Sequence, residues 1–147
     1  MIHLDTNVAI ALLNQNQPKI RAHFDAILSA KAPIAMSMLV YFELMYGAAN
    51  SQKRAANEHK IALFISASRL QLLDFVDADA TEAAKLRAHL KASGAPIGPY
   101  DLLIAAQARR AQATLITANT AELVCLGKQV DRKVNRVPGL TVVDWSI

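Results

Sequence analysis

Cysteine is almost absent from this sequence, and its scarcity excludes one way of stabilising a fold. The 147 residues include a single cysteine, Cys125, so no disulfide can form within the chain. Disulfides are rare in reducing compartments, and a cysteine with no histidine near it in sequence is typical of a small buried apolar residue. We therefore expect a cytoplasmic protein. A chain of this length can bury a sizeable core without disulfides.

Long uninterrupted hydrophobic runs are lacking too, although 53% of the residues are hydrophobic. The stretch closest to a membrane span, residues 32–52, contains Glu43 and is broken at Gly47, so we expect no membrane helix. The N-terminal residues show no basic segment followed by a small-residue cleavage site, which argues against a signal peptide. These absences favour one domain over residues 1–147 and no membrane partner.

Two familiar kinds of functional site are missing as well. No Gly-rich phosphate loop occurs, so chemistry on nucleoside triphosphates is not indicated. His3, His23, His59 and His89 share no metal-ligand spacing, and we expect them in the core or at the surface. The net charge of +4 favours a polyanionic partner without proving one.

Short apolar runs alternate along the chain with amphipathic segments. Strands are predicted at residues 2–4, 33–36, 70–73, 114–117 and 140–143. Helices are predicted around residues 8–13, from Pro18 onward, after a capping Ser37, and at residues 53–68, 77–92 and 99–112. This alternation predicts an α/β fold with a parallel sheet covered on both faces.

Four acidic residues each stand as the only charged side chain of a long uncharged stretch. The stretches are residues 1–18, 32–52, 92–108 and 111–127, and their acids are Asp5, Glu43, Asp101 and Glu122. A carboxylate in apolar surroundings costs several kcal/mol unless a cation meets it, and no lysine or arginine is close in sequence. A bound divalent metal is the simplest common partner for all four.

Topology places most of these acids at one edge of the sheet. Asp5 follows the first strand, Glu43 lies in the helix after the second, and Asn119 and Glu122 follow the fourth. Sites in open parallel sheets form beyond the carboxyl ends of the strands. Asp101 begins a helix that leads into the fourth strand, and topology alone would put that end at the opposite rim. We expect the preceding Gly/Pro loop to carry it back, because its isolation from other charges groups Asp101 with the other acids.

The donor set indicates which chemistry such a site could perform. Several close carboxylates repel one another, by about 4 kcal/mol per pair at an effective dielectric constant near 20. Hard oxygen ligands suit Mg²⁺ or Mn²⁺ and not zinc. A metal held in this way activates water and stabilises a phosphate transition state, which is the chemistry of phosphodiester hydrolysis.

Each residue also has a simpler interpretation. Asp5 could be only a helix N-cap, Asp101 could be an acid that favours a helix N-terminus, and Glu122 could be a surface residue. Glu43 is harder to explain in this way, since mid-helix acids usually have basic neighbours one turn away. Residues 128–136 are rich in basic side chains, and they form either a solvated surface segment or a patch that contacts phosphates.

Five motifs in order resemble the PIN-domain ribonucleases, specifically the VapC-type toxins of bacterial toxin–antitoxin pairs. The motifs are LDTN at residues 4–7, ELMYG at 43–47, GPYDLLIAA at 98–106, TANTAEL at 117–123 and RVPGLTVVDW at 136–145. The resemblance implies a three-layer α/β/α sandwich with a five-stranded parallel sheet and an endoribonuclease dependent on Mg²⁺ or Mn²⁺. It further implies a homodimer, a cognate antitoxin partner, and structured RNA such as tRNA as the substrate.

The resemblance also implies roles for individual residues. It makes Asp5, Glu43 and Asp101 catalytic metal-binding acids, and we expect Glu122 to join them. The supporting polar side chains would be those of Asn7, Ser37, Thr117 and Asn119.

Two departures from the family pattern stand out. The acid often found two residues after the threonine is Asn119 here, with Glu122 three residues further on, and the segment from Glu122 to Arg136 is longer than is usual. An inactive PIN module that binds RNA or protein is therefore the alternative function. A phosphoacceptor receiver domain is a second rival, but the lysine that it needs after a late strand is missing after Thr117.

Overall fold

A central parallel sheet organises the computed structural model, which describes residues 1–118 and 137–147. The strands are β1 (Ile2–Leu4), β2 (Ile34–Ser37), β3 (Gln71–Leu73), β4 (Thr114–Thr117) and β5 (Thr141–Asp144). Their spatial order is β3-β2-β1-β4-β5, and every neighbouring pair is parallel. The predicted five-stranded parallel sheet is confirmed, with β1 at its centre.

Helices fill the connections from β1 to β4. They are α1 (Thr6–Asn14), α2 (Pro18–Ser29), α3 (Met38–Ala49), α4 (Arg54–Ala67), α5 (Asp77–Ala92) and α6 (Pro99–Arg110). The chain moves outward from β1 to β3 and then returns across the sheet to β4. Because parallel crossovers are right-handed, α1 to α4 and the α5–α6 pair cover opposite faces, as a three-layer α/β/α sandwich requires.

Helix C-termini account for boundary differences from the sequence prediction. Four of these turns place a residue other than glycine in the left-handed backbone region, namely Gln15, Lys31, Arg69 and Gln112, with φ values of 51–54°. Helix α6 therefore ends at Arg110, two residues before its predicted end. Glycine is the usual signal for such a turn, and a chain with only five glycines does not supply it here.

Trp145 and His3 are both buried. The Trp145 backbone N–H donates to the Thr117 carbonyl at 3.0 Å, and its ring stacks on His23 at 5.7 Å between centroids. Trp145 therefore anchors the end of β5 to the core. His3 is buried in β1, whereas Cys125 lies outside the described residues.

Among the described residues, no helix combines the length and the apolar character that crossing a membrane requires.

An ion pair between the buried Asp79 and the half-exposed Arg110 joins α5 to α6. The Asp79 side chain is fully buried; it accepts a hydrogen bond from the Val76 backbone N–H at 3.0 Å and one from Arg110 Nε at 2.5 Å. Asp79 therefore caps the start of α5 and binds the end of α6 at the same time.

Replacement of Asp79 by alanine is expected to lower the free energy of unfolding by about 2 kcal/mol, since a helix cap and a buried ionic hydrogen bond are lost together. Urea denaturation measures the change. The matched control is Asp25→Ala, which removes an exposed pair with Arg21 and should cost less than about 0.5 kcal/mol. Equal losses in both variants would contradict this account of Asp79.

Candidate active site at the carboxyl edge of the sheet

Asp5 occupies the first position beyond the central strand. Its backbone N–H donates to the Ile116 carbonyl of β4 at 3.0 Å, which extends the strand pairing by one residue. Its carboxylate caps α1 by accepting the Val8 N–H at 2.8 Å. The N-cap interpretation is thus correct, and it fixes the half-buried Asp5 carboxylate at the edge of the sheet where sites form.

Glu43 reaches the same edge from the second turn of α3. Ser37 ends β2 and caps this helix by accepting the Leu39 N–H at 3.1 Å, as the sequence predicted. The Glu43 carboxylate accepts a hydrogen bond from the hydroxyl of Thr6, the residue next to Asp5. Thr6 therefore holds Glu43 next to the segment that carries Asp5.

Thr117 and Asn7 support Asp5 in different ways. The Thr117 side chain, at the end of β4, donates a hydrogen bond to the Asp5 carboxylate. Asn7 contributes its backbone N–H, which donates a hydrogen bond to the same carboxylate. Thr6 was missed by sequence reasoning, although it stands within the LDTN motif.

Asp101 is the third residue of α6 and lies close enough to Asp5 for its charge to act there. The expectation that topology alone would put this helix start at the opposite rim is wrong. The chain passes from the end of α6 into β4 through only residues 111–113, so α6 runs antiparallel to β4. Its first turn therefore returns to the carboxyl edge.

Burial raises the pKa of Asp5 to about 7. The hydrogen bonds from the Thr117 hydroxyl and from the Val8 and Asn7 backbone N–H groups act in the opposite direction, and the Asp101 charge raises the pKa further. None of the ion pairs formed within the described part of the chain includes Asp5 or Glu43. Within these residues, Asp5 and Glu43 therefore have no lysine or arginine side chain paired with them.

The burial expected for all the acids holds only in part. Asp5 and Glu43 are half-buried, whereas Asp101 is exposed, so apolar surroundings in sequence did not mean burial at this helix start. Within residues 1–118 and 137–147, no three acidic, histidine or cysteine side chains lie close enough together to hold a metal as they stand. The donor set of carboxylates and hydroxyls nevertheless has the chemistry that Mg²⁺ or Mn²⁺ requires.

Three predicted features lie outside the described residues. They are Glu122, Asn119 and the basic residues 128–136. Their roles at the site stay predictions.

A cavity of about 230 Å³ opens beside Glu43, between α1, α3 and α4. Its walls are largely apolar, with Ile10, Leu44 and Ile61 among them, and Lys60 and Asn57 supply polar groups. Sequence reasoning predicted the helix that carries Lys60 but did not find this cavity. The cavity forms where three helices pack together, and a local sequence pattern does not predict such packing.

Comparisons with known proteins agree with this geometry. The model of the PIN domain family matches residues 2–123. The chain is 34% identical over 143 residues to the tRNA(fMet)-specific endonuclease VapC of Shigella flexneri, with 97% of this chain and 96% of the relative covered. It is 32% identical, with the same coverage, to ribonuclease VapC2 of Rickettsia felis.

Solved structures show the same fold. The chain matches a VapBC2 structure from Rickettsia felis bound to a promoter DNA fragment, with a TM-score of 0.80 and 31% identity. It matches a DNA-bound VapBC structure from Salmonella typhimurium with a TM-score of 0.81 and 31% identity. Both matches cover 99% of each chain.

Proposed function

Since this chain belongs to the PIN-domain family of VapC ribonucleases, we propose that it is a metal-dependent endoribonuclease and the toxin of a toxin–antitoxin pair. The observation that carries the proposal is the convergence of Asp5, Glu43 and Asp101 at one edge of the sheet from three separate elements. A structural role for each acid alone would not bring the three together.

The proposed metal ligands are Asp5, Glu43 and Asp101, together with Glu122. When bound, Mg²⁺ or Mn²⁺ would supply an activated water and would neutralise charge on the phosphate. The chain's own groups orient these acids: the Thr117 hydroxyl and the Val8 N–H hold Asp5, while the Thr6 hydroxyl holds Glu43. No histidine is assigned as a general base.

Structured RNA, tRNA in particular, is the proposed substrate. The support is the Shigella flexneri relative, which is named as a tRNA(fMet)-specific endonuclease. The net charge of +4 suits a polyanionic substrate.

A cognate antitoxin is the proposed protein partner, since the matched structures from Rickettsia felis and Salmonella typhimurium are VapBC assemblies. The segment of the antitoxin that inhibits the toxin would bind at the acidic edge of the sheet, next to Asp5 and Glu43. We further propose that the chain forms a homodimer and acts in the cytoplasm.

Cleavage of total cellular RNA tests the proposal. Purified protein freed of antitoxin is expected to give discrete products with Mg²⁺ or Mn²⁺ and none with EDTA. Sequencing of the product ends would identify the RNA and the bond. Failure to cleave, by protein shown to bind the metal, would favour the inactive RNA- or protein-binding module instead.

A further inference from the structure

Three aromatic side chains form an exposed patch where α3 and α6 meet. Phe42 is 49% exposed, Tyr46 is 63% exposed and Tyr100 is 44% exposed. The Phe42 ring centroid lies 6.5 Å from that of Tyr46 and 5.9 Å from that of Tyr100. Large aromatic side chains clustered at a surface usually mark a binding site, because burying each of them in the core would stabilise the fold.

The patch adjoins the acids of the candidate active site on both of its elements. Phe42 precedes Glu43 in α3, and Tyr100 precedes Asp101 in α6. Successive residues of a helix are turned by about 100°, so each ring and the neighbouring carboxylate lie on adjoining faces. Glu43 turns toward Thr6 of α1, while Phe42 turns toward Tyr100. The rings therefore form one wall beside the acidic edge.

The arrangement of the rings suits a flat ligand. Phe42 and Tyr46 are inclined by 26°, and Phe42 and Tyr100 by 44°, at separations too long for the rings to cover one another's faces fully. A nucleobase is a flat aromatic group that stacks on such faces whatever its sequence identity.

The position of the patch favours part of the substrate as its occupant. A base bound beside the acids is already attached to the phosphate backbone that the proposed reaction would cut.

We propose that Phe42, Tyr46 and Tyr100 form a stacking platform for an unpaired base of the RNA substrate next to the scissile phosphate. This inference rests on the proposed ribonuclease function and makes these residues substrate-binding groups of that site. Duplex RNA, whose bases are already stacked, cannot use the platform. The platform therefore selects unpaired nucleotides for cleavage.

The test measures binding separately from cleavage. A labelled unpaired RNA hexanucleotide, with 2-aminopurine placed at each position in turn, is titrated with the Asp5→Asn chain in Mg²⁺. In this background, Phe42→Leu and Tyr46→Leu keep an apolar side chain and remove the ring, and Tyr46→Phe keeps the ring. Leu63→Ala, at a 55% exposed residue of α4 outside the patch, is the matched control.

We expect each leucine variant to raise Kd about tenfold and to weaken the quenching of one 2-aminopurine position, while Tyr46→Phe and the control change Kd less than twofold. In the chain with Asp5 intact, the same leucine variants should lower kcat/KM for unpaired RNA. Unchanged Kd and quenching in leucine variants that melt like their parent would overturn the platform. Dissociation of a dimer by these variants in sedimentation velocity, with unchanged Kd, would overturn it in favour of an interface with a second copy.

Failure of the proposed function gives a different pattern. If the chain binds RNA in a ring-dependent manner and cuts none with metal, the ribonuclease proposal fails, and the rings bind an unpaired base without directing cleavage. If it cuts RNA and the leucine variants cut equally well, the platform alone fails.

Discussion

Replacement of Asp5 or Asp101 by asparagine is expected to lower kcat for RNA cleavage by at least about 100-fold while the fold is kept. Loss of one preorganised group that stabilises charge in a transition state typically costs about 10²–10³ in rate. Asparagine has the shape of aspartate but carries no charge, so it weakens the attraction for a divalent ion. Asp5→Asn also keeps the cap on the Val8 N–H, because asparagine is as good an N-cap as aspartate.

The experiment compares initial rates of cleavage of one RNA by the parent and its variants at saturating Mg²⁺. Asp25→Asn is the control, because it neutralises an exposed acid of α2 paired with Arg21 and should leave the rate unchanged. Parent-like rates in both Asp5→Asn and Asp101→Asn would remove these residues from the catalytic site. A loss confined to Asp101→Asn would assign Asp5 to capping alone.

Much of the fold could be predicted because its determinants are local. Pro18 and Pro99 each begin a helix, Ser37 caps another, and the short apolar runs became strands within about one residue of their predicted bounds. The parallel arrangement followed from the alternation of strands and helices. The helix ends at turns without glycine, as at Gln112, escaped this reasoning, since the left-handed backbone there has no local signal.

The candidate site was predictable to the extent that charge patterning reports on it. Isolation from other charges identified Asp5, Glu43 and Asp101, which the fold brings to one edge. The Thr6–Glu43 hydrogen bond and the Phe42–Tyr100 contact join residues far apart in sequence. Such pairings depend on how α1 and α6 pack beside α3, which periodicity in one segment does not encode.

The stability of the metal-free protein is expected to fall as the pH rises from about 4 to about 7, because of Asp5. Burial raises the pKa of this group from its ordinary value of 3.8 to about 7 in the folded chain. The folded state therefore holds the proton more tightly than the unfolded state. That contribution is fully present below about pH 4 and is lost as the pH rises through the folded pKa, and it amounts to about 4 kcal/mol.

Urea denaturation in EDTA at several pH values measures the effect, and the difference between the parent and Asp5→Asn isolates Asp5 from every other titrating group. We expect Asp5→Asn to be the more stable protein at pH 8, and its advantage should shrink as the pH falls toward 4. Asp25→Asn, which neutralises a half-exposed acid paired with Arg21, is the control variant. Parallel profiles for the parent and Asp5→Asn would show that Asp5 ionises without strain.

Addition of Mg²⁺ at pH 8 connects this strain to the proposed function. A ligand that binds only the folded state stabilises it according to its concentration relative to Kd, and a divalent ion next to Asp5 also favours the ionised carboxylate. The parent should therefore gain stability with Mg²⁺, whereas Asp5→Asn should gain much less. Equal gains would place the bound ion away from Asp5. The raised pKa of Asp5 would then reflect only the burial of a residue that caps α1 at the edge of the sheet.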